Sequence, residues 1–193
     1  MVPLTGNRKI KTAVFISGAG SNFKNLIQFS KQKKSPIKIE IVISNNSRSK
    51  GLKFAKKYKI EKKIFKFDKK KLDETKLLKI LRDKKIGLIC LAGFMKILSK
   101  NFIKNFKGKI LNIHPSLLPK YKGLNTHKRV LDNNEKYTGC TVHFVSQRLD
   151  SGKIIVQKKI KIKKNDTPKK IARRVLIEEH KLYPKGILRL FNL

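Results

Sequence analysis

Short apolar runs alternate with helical patterns along most of this chain, and this alternation constrains the fold more than any other feature. The runs that predict strands are TAVFI (12–16), IEIVIS (39–44), KIFKF (63–67), LICLAG (88–93) and ILNIH (110–114). Strands and helices that alternate at this spacing imply right-handed crossovers and a mostly parallel sheet. We therefore predict a Rossmann-like α/β fold with helices on both faces of the sheet.

The carboxyl-terminal part of the chain departs from this alternation. TGCTVHFV and KIIVQKKIKI follow a longer loop and predict mixed or antiparallel last strands. A final helix opens at NDTPKK, where Asp166 or Asn165 suits the cap and Pro168 the first turn. The length of 193 residues suits one domain. We predict a single domain, 1–193, in which residues 1–11 form a flexible tail.

The location of the protein is predicted from what the sequence lacks. No apolar run approaches the roughly eighteen residues that a membrane span requires, and the start of the chain lacks the apolar stretch of a signal peptide. Cys90 and Cys140 lie in apolar strand-like runs, as small strand residues rather than a disulfide framework. We therefore expect a cytoplasmic protein with no membrane partner.

The formal net charge of +37 raises the question of nucleic acid, because lysine and arginine neutralise phosphates. The excess is spread along the whole chain, however, and only eight of the 49 basic residues are arginine, the residue that reads bases in a bidentate manner. We expect no specific nucleic-acid partner. A basic, catalytically inert nucleic-acid-binding module stays open as an alternative.

The segment SGAGSN follows the first predicted strand, where ligands of parallel sheets bind. Gly18 and Gly20 permit a tight turn, and Ser21 and Asn22 enter a helix whose free amides can bind phosphate. The glycine pattern fits an ordinary strand-to-helix turn equally well. It has neither the third glycine of a dinucleotide site nor the lysine of a nucleoside-triphosphate loop.

Two polar side chains interrupt the apolar fifth strand. Asn112 and His114 alternate with Leu111 and Ile113, so both point to one face at the end of the strand. An amide donor beside an imidazole can stabilise an oxyanion and move a proton, as acyl transfer to an amine requires. A structural histidine is the alternative interpretation.

Two carboxylates complete the candidate residues. Asp150, in the turn SQRLDSGKI, is either an ordinary turn residue or a partner that favours the cationic form of His114. Glu179 lies at the centre of the apolar face of the last helix, with Val175 and Leu182 near it on that face. An inward carboxylate needs a cationic partner, which is either a lysine of the chain or a substrate amine.

Seven strings of this sequence, in this order, resemble the phosphoribosylglycinamide formyltransferases of purine synthesis. They are SGAGSN, LAGFMKILS, LNIHPSLLPKYKG, GLNTH, GCTVHFV, LDSGKIIVQ and EEHKLYP, and NIHPSLLP is highly specific. The resemblance covers residues 12 to about 190. It implies a metal-free enzyme that transfers the formyl group of the co-substrate 10-formyltetrahydrofolate to the amine of 5-phosphoribosylglycinamide, with small molecules as its partners and a monomeric or homodimeric state.

The resemblance also implies residue roles. Asn112, His114 and Asp150 match the catalytic residues, with His114 as the proton donor. The residues that match the substrate contacts are Gly20, Ser21 and Asn22 for the phosphate and Glu179 for the glycinamide. Those that match the folate contacts are Lys70, Met95, Lys96, Ile97, Leu98, Asn112, Ser146, Gln147, Arg148, Leu149 and Asp150. The segment 122–134, with His127, matches a mobile loop over the active site.

Two residues depart from the pattern of the family. Lys96 and Lys70 stand where arginine is expected. A lysine keeps the positive charge but lacks the planar, bidentate guanidinium, which predicts looser binding of the folate glutamate tail.

Two rival families, the methionyl-tRNA formyltransferases and the formyltetrahydrofolate hydrolases, share the catalytic core. The string GLNTH stands where methionyl-tRNA formyltransferases have a different string. Pro115 stands where formyltetrahydrofolate hydrolases have a second histidine.

Overall fold

The computed structural model describes residues 9–65 and 74–193. The chain forms two compact units, one within residues 1–111 and one that runs from Asn112 to Leu193. The prediction of a single domain stays a prediction.

The first unit contains parallel strands and the helices that connect them. Its described elements are β1 (Ile10–Ile16), α1 (Ser21–Ser30), β2 (Ile37–Ser44), α2 (Leu52–Lys57), β3 (Glu61–Ile64), α3 (Glu74–Asp83), β4 (Leu88–Leu91) and α4 (Lys100–Asn105). The strand order is β3-β2-β1-β4, and all three neighbouring pairs are parallel. Residues 13–16 of β1 are completely buried. Since successive side chains of a strand point to opposite faces, both faces of β1 are covered.

Strand β5 (Lys109–His114) begins in the first unit and ends in the second. The second unit continues with α5 (Thr126–Asp132), β6 (Tyr137–Phe144), β7 (Ile154–Lys161) and α6 (Pro168–Leu190). Strands β6 and β7 are antiparallel, with Cys140 opposite Lys158. Helix α6 packs closely on β6 at Gly186, where an added Cβ would lie 2.7 Å from Val142 Cγ1. No helix within the described residues has the length and apolar character needed to cross a bilayer.

The predicted fold class is confirmed: a mostly parallel α/β sheet ends in antiparallel strands. Three local predictions need correction. Strand β1 starts at Ile10, so Ile10 and Lys11 belong to the strand rather than to a tail. Strand β3 starts and ends earlier than KIFKF, and positions 66 and 67 lie outside the described residues.

The cap of α6 is the third correction. Thr167, not Asp166 or Asn165, caps the helix, because its hydroxyl accepts the Lys170 N–H at 3.3 Å. Asp166 instead pairs with Arg174, at 2.5 Å. Pro168 occupies the first turn, as predicted.

Candidate active site

The end of β5 carries the polar residues that the sequence singled out. Strand periodicity puts Asn112 and His114 on one face, while Ile113 is buried on the other. His114 is buried, and Asn112 is half-buried. Buried polar side chains need partners, and both residues have them within the second unit.

His114 is held through both ring nitrogens. Its Nε2 lies 2.9 Å from the carbonyl oxygen of Tyr121, and its Nδ1 lies 3.4 Å from Asp150 Oδ2. A carbonyl oxygen only accepts hydrogen bonds, so Nε2 carries a hydrogen in the neutral ring as well as in the cation. The other ring nitrogen, Nδ1, faces the carboxylate of Asp150.

The turn between β6 and β7 positions Asp150. An added Cβ on Gly152 would lie 1.7 Å from the carbonyl oxygen of Phe144, so only glycine lets the turn return so close to the end of β6. Asp150 itself has a left-handed backbone, with φ of 45°. Its Oδ2 also accepts the Gly123 N–H at 2.9 Å, which fixes the carboxylate beside His114.

His143 on β6 is a residue of this cluster that the sequence analysis missed. Its Nδ1 lies 2.8 Å from the carbonyl oxygen of Phe144, so Nδ1 carries the hydrogen. Burial lowers the pKa of His143, against the opposing effects of the Phe144 carbonyl and Asp150. The ring is therefore neutral near pH 7, and its bare Nε2 accepts a hydrogen bond from Asn112 Nδ2 at 3.2 Å.

This hydrogen bond decides which way the Asn112 amide points. One N–H of Nδ2 is used by His143, and the second remains to donate to another acceptor. The signal for His143 was present in the sequence, since it interrupts the apolar run TVHFV of β6 as His114 interrupts β5. The carboxylate of Asp150 lies between the two imidazoles, with Oδ1 3.7 Å from His143 Nε2.

The cluster formed by Asn112, His114, His143 and Asp150 combines three chemical capabilities. The amide of Asn112 can donate a hydrogen bond to a developing negative charge, and the imidazole of His114 can act in proton transfer. The carboxylate of Asp150 places a negative charge beside the imidazole of His114. These are the requirements of acyl transfer.

The segment 122–134, which was predicted as a loop, lies beside the cluster, and its residues 126–132 form the helix α5. Arg129 contacts the backbone of this segment, because its guanidinium donates a hydrogen bond to the Lys122 carbonyl at 2.7 Å. His127 is the second residue of α5, and its buried Nδ1 has no hydrogen-bond partner among residues 9–65 and 74–193. Burial lowers the pKa of His127, and the nearby charge of His114 lowers it further. The mobility of this loop stays a prediction.

Glu179 is buried on α6, as the apolar face of the helix predicted. Its negative charge acts on Cys140 of β6. Burial raises the pKa of Cys140 to about 12, and the charges of Glu179 and Glu178 contribute to that rise. The role of Glu179 as a glycinamide contact stays a prediction.

The candidate phosphate segment belongs to the first unit. Gly20 has a left-handed backbone, with φ of 73°, and immediately precedes α1. Ser21 and Asn22 are the first residues of that helix, where backbone N–H groups have no partner within the helix. Such a helix start can bind an anion, and the phosphate role of these three residues stays a prediction.

The candidate folate residues occupy two segments. In the first unit, the side chains of Met95 and Ile97 are 64% and 73% exposed, and Lys96 is exposed, whereas the side chain of Leu98 is buried. The role of these residues in folate binding stays a prediction. In the second unit, Ser146, Gln147, Arg148 and Leu149 lie in the turn that ends at Asp150. Lys70 lies outside the described residues.

Within the part of the chain that the structure describes, no three or more histidine, cysteine, aspartate or glutamate side chains are grouped so that they can hold a metal ion.

Known proteins resemble this chain over most of its length. Residues 10–187 match the family model described as formyl transferase. A phosphoribosylglycinamide formyltransferase of Haemophilus influenzae is 40% identical over 177 residues, which cover 90% of this chain and 84% of that protein. The crystal structure of phosphoribosylglycinamide formyltransferase from Brucella melitensis has a TM-score of 0.88 and 41% identity, and covers 95% of this chain and 96% of that one.

Other relatives are much longer proteins. The trifunctional purine biosynthetic protein adenosine-3 of Bos taurus is 41% identical over 183 residues, which cover 93% of this chain but 18% of that protein. The chain thus spans less than a fifth of the length of the first curated relatives that it matches.

Proposed function

This chain belongs to the formyl transferase family, and we propose that it transfers the formyl group of 10-formyltetrahydrofolate to the amine of 5-phosphoribosylglycinamide. The products are N-formylglycinamide ribonucleotide and tetrahydrofolate, in purine synthesis. Relatives that cover most of this chain carry the name of this activity. The proposal includes a cytoplasmic location.

One observation carries the proposal beyond family membership, namely the cluster at the end of β5. Asn112 donates through an amide whose direction is fixed by His143, and His114 Nδ1 faces Asp150 at 3.4 Å. A purely structural role for these buried polar groups does not require a proton donor and an oriented amide side by side.

The mechanism is a direct transfer. The glycinamide amine attacks the formyl carbon, and a new C–N bond gives a tetrahedral species whose oxygen accepts hydrogen bonds from Asn112 and the imidazolium of His114. The bond between the formyl carbon and the folate nitrogen then breaks. The amine loses a proton and the folate nitrogen gains one, with Asp150 stabilising the cationic ring during this exchange.

The remaining candidate residues bind the two substrates. The amides at the start of α1, with Gly20, Ser21 and Asn22, suit the phosphate, and the buried carboxylate of Glu179 suits the glycinamide amine. For the folate we propose the segments 95–98 and 146–150, together with Lys70. Exposed apolar side chains such as Met95 and Ile97 suit a flat ring system.

The experiment that tests the proposal compares acceptors. Purified protein is given 10-formyltetrahydrofolate with 5-phosphoribosylglycinamide, with methionyl-tRNA or with buffer alone, and tetrahydrofolate release is followed. We expect release only with 5-phosphoribosylglycinamide. Release with methionyl-tRNA or with buffer alone would instead assign the chain to the tRNA formylases or to the hydrolases, and no release with any acceptor would favour a binding protein.

A further inference from the structure

The loop that follows β2 contacts the turn that leads into the candidate phosphate segment Gly20–Asn22. Ser49 is buried, and its hydroxyl donates to the carbonyl oxygen of Gly18 at 2.7 Å. The backbone N–H of Gly51 donates to the same oxygen at 3.0 Å. Two donors from one loop thus fix a single carbonyl in the turn between β1 and α1.

Fixing this carbonyl also fixes the next amide. In a trans peptide, the C=O of one residue and the N–H of the next point in opposite directions. Since the Gly18 oxygen points at Ser49, the N–H of Ala19 points away from it. Gly18 and Ala19 are both exposed, so this amide is available to a ligand from solvent.

The same loop determines where α1 begins. An added Cβ on Gly20 would lie 2.5 Å from Gly51 Cα, and one on Gly51 would lie 2.9 Å from Gly20 Cα. The two backbones approach so closely that only glycine fits at both positions. This contact holds Gly20, and with it the first amides of α1, against the loop after β2.

A second hydroxyl connects the turn to the candidate folate segment. The hydroxyl of Ser17 donates to Asn45 Oδ1 at 2.5 Å and accepts the N–H of Met95 at 2.7 Å. The turn is therefore held both by the loop after β2 and by the segment after β4. The hydroxyl of Ser49 contacts the turn, whereas that of Ser17 also contacts the segment after β4.

We propose that Ser49 is a positioning residue for phosphate binding, and that it aims the Ala19 amide at the phosphate by fixing the Gly18 carbonyl. Ser49 does not itself touch the ligand. The inference rests on the proposed function, since it deepens the assignment of the segment Gly20–Asn22. It adds a side chain from a different loop and a further amide donor to that assignment.

The test is the variant Ser49→Ala. The Gly51 N–H still satisfies the Gly18 oxygen in this variant, so the protein should fold, and a matching thermal unfolding temperature checks this. We expect the KM for 5-phosphoribosylglycinamide to rise about threefold to tenfold, the effect of one lost hydrogen bond. The kcat and the KM for 10-formyltetrahydrofolate should stay within about twofold of the wild-type values.

Three comparisons separate positioning from a general structural effect. Ser49→Thr keeps the hydroxyl and should restore the KM, whereas Ser47→Ala changes an exposed serine of the same loop and should leave it unaltered. With ribosylglycinamide, which lacks the phosphate, wild-type and Ser49→Ala proteins should have the same kcat/KM. An equal loss with and without the phosphate would overturn the inference.

Binding of ribose 5-phosphate, measured by calorimetry, makes the test independent of turnover. Weaker binding by Ser49→Ala than by the wild type supports the inference even if the proposed reaction does not occur. Equal binding by the two proteins, or no binding by the wild type, overturns it. A wild type that binds ribose 5-phosphate but forms no product overturns the proposed function instead.

Discussion

His114 Nδ1 faces Asp150 Oδ2 at 3.4 Å, and both side chains are 7% exposed. Nε2 of the ring contacts the Tyr121 carbonyl, so in the proposed mechanism the proton donor is the N–H of Nδ1. The contact also brings a turn aspartate beside His114 although the two residues lie far apart along the chain.

His114→Ala and Asn112→Ala should each lower kcat by at least about 10²- to 10³-fold, because each removes a group that stabilises the developing oxyanion. Steady-state rates with saturating 5-phosphoribosylglycinamide and 10-formyltetrahydrofolate measure this loss. Asn101→Ala, which removes an exposed amide on α4, is the matched control and should retain the wild-type rate. Near-normal turnover by either active-site variant would refute the assigned role.

His143→Phe should lower kcat by about tenfold or more while the KM values change little. The phenyl ring has no acceptor for Asn112 Nδ2, so the amide loses its orientation, and small displacements of a catalytic group are costly. His143→Gln retains an acceptor oxygen and should recover part of the rate. If His143→Phe turns over as fast as the wild type, His143 does not orient Asn112.

The lowered pKa of His143 predicts how stability depends on pH. A histidine whose pKa is lower in the folded than in the unfolded state stabilises the fold fully above its unfolded value of about 6.5, and this stabilisation is lost as the pH falls through the folded value. Urea unfolding of wild type and His143→Gln, from pH 8 to pH 5, measures the effect. The advantage of the wild type should shrink on acidification; a constant difference contradicts the prediction.

Gly152→Ala should destabilise the protein by about 1–3 kcal/mol, because the new methyl group overlaps the Phe144 carbonyl. It should also lower kcat, since the turn that carries Asp150 has to move. Gly18→Ala is the control for stability, because an added Cβ at Gly18 meets no atom within 4 Å and should change the unfolding free energy by less than about 0.5 kcal/mol. Equal unfolding free energies of the two variants would argue against this account of the turn.

Glu179→Gln should raise the KM for 5-phosphoribosylglycinamide about tenfold, because the buried carboxylate that suits the substrate amine loses its charge. Glu178→Gln is the neighbouring control: Glu178 pairs with Lys181 at 2.9 Å on the surface, and surface pairs contribute little. Its KM should match the wild type. Similar effects of both substitutions would mean that general electrostatics, not a direct contact, is responsible.

The sequence predicted most of the fold because hydrophobic periodicity reports burial directly. The run TAVFI predicted β1, whose residues 13–16 are fully buried, and α6 turns Glu179 inward as its apolar face indicated. The errors lie where local signals compete. Asp166 and Thr167 are both good caps, but the Asp166 carboxylate is engaged by the Lys163 N–H and by Arg174, and Thr167 caps the helix.

The site was predictable where polar residues interrupt an apolar strand, as Asn112 and His114 do. The pairing of Asp150 with His114, and the hydrogen bond between His143 and Asn112, join residues that are distant in sequence. Periodicity carries no information on such pairs, since it describes one element at a time. Ser49 was missed for the same reason, because its partner Gly18 lies in another loop.

The most direct test of the central claim follows the formyl carbon itself. With 10-formyltetrahydrofolate labelled with ¹³C in the formyl group, NMR should show the label moving to the amine of 5-phosphoribosylglycinamide, with one tetrahydrofolate formed per product. The transfer should fall at least about 10²-fold in His114→Ala. Label that appears as free formate, or that stays on the folate in the wild-type protein, would contradict the account.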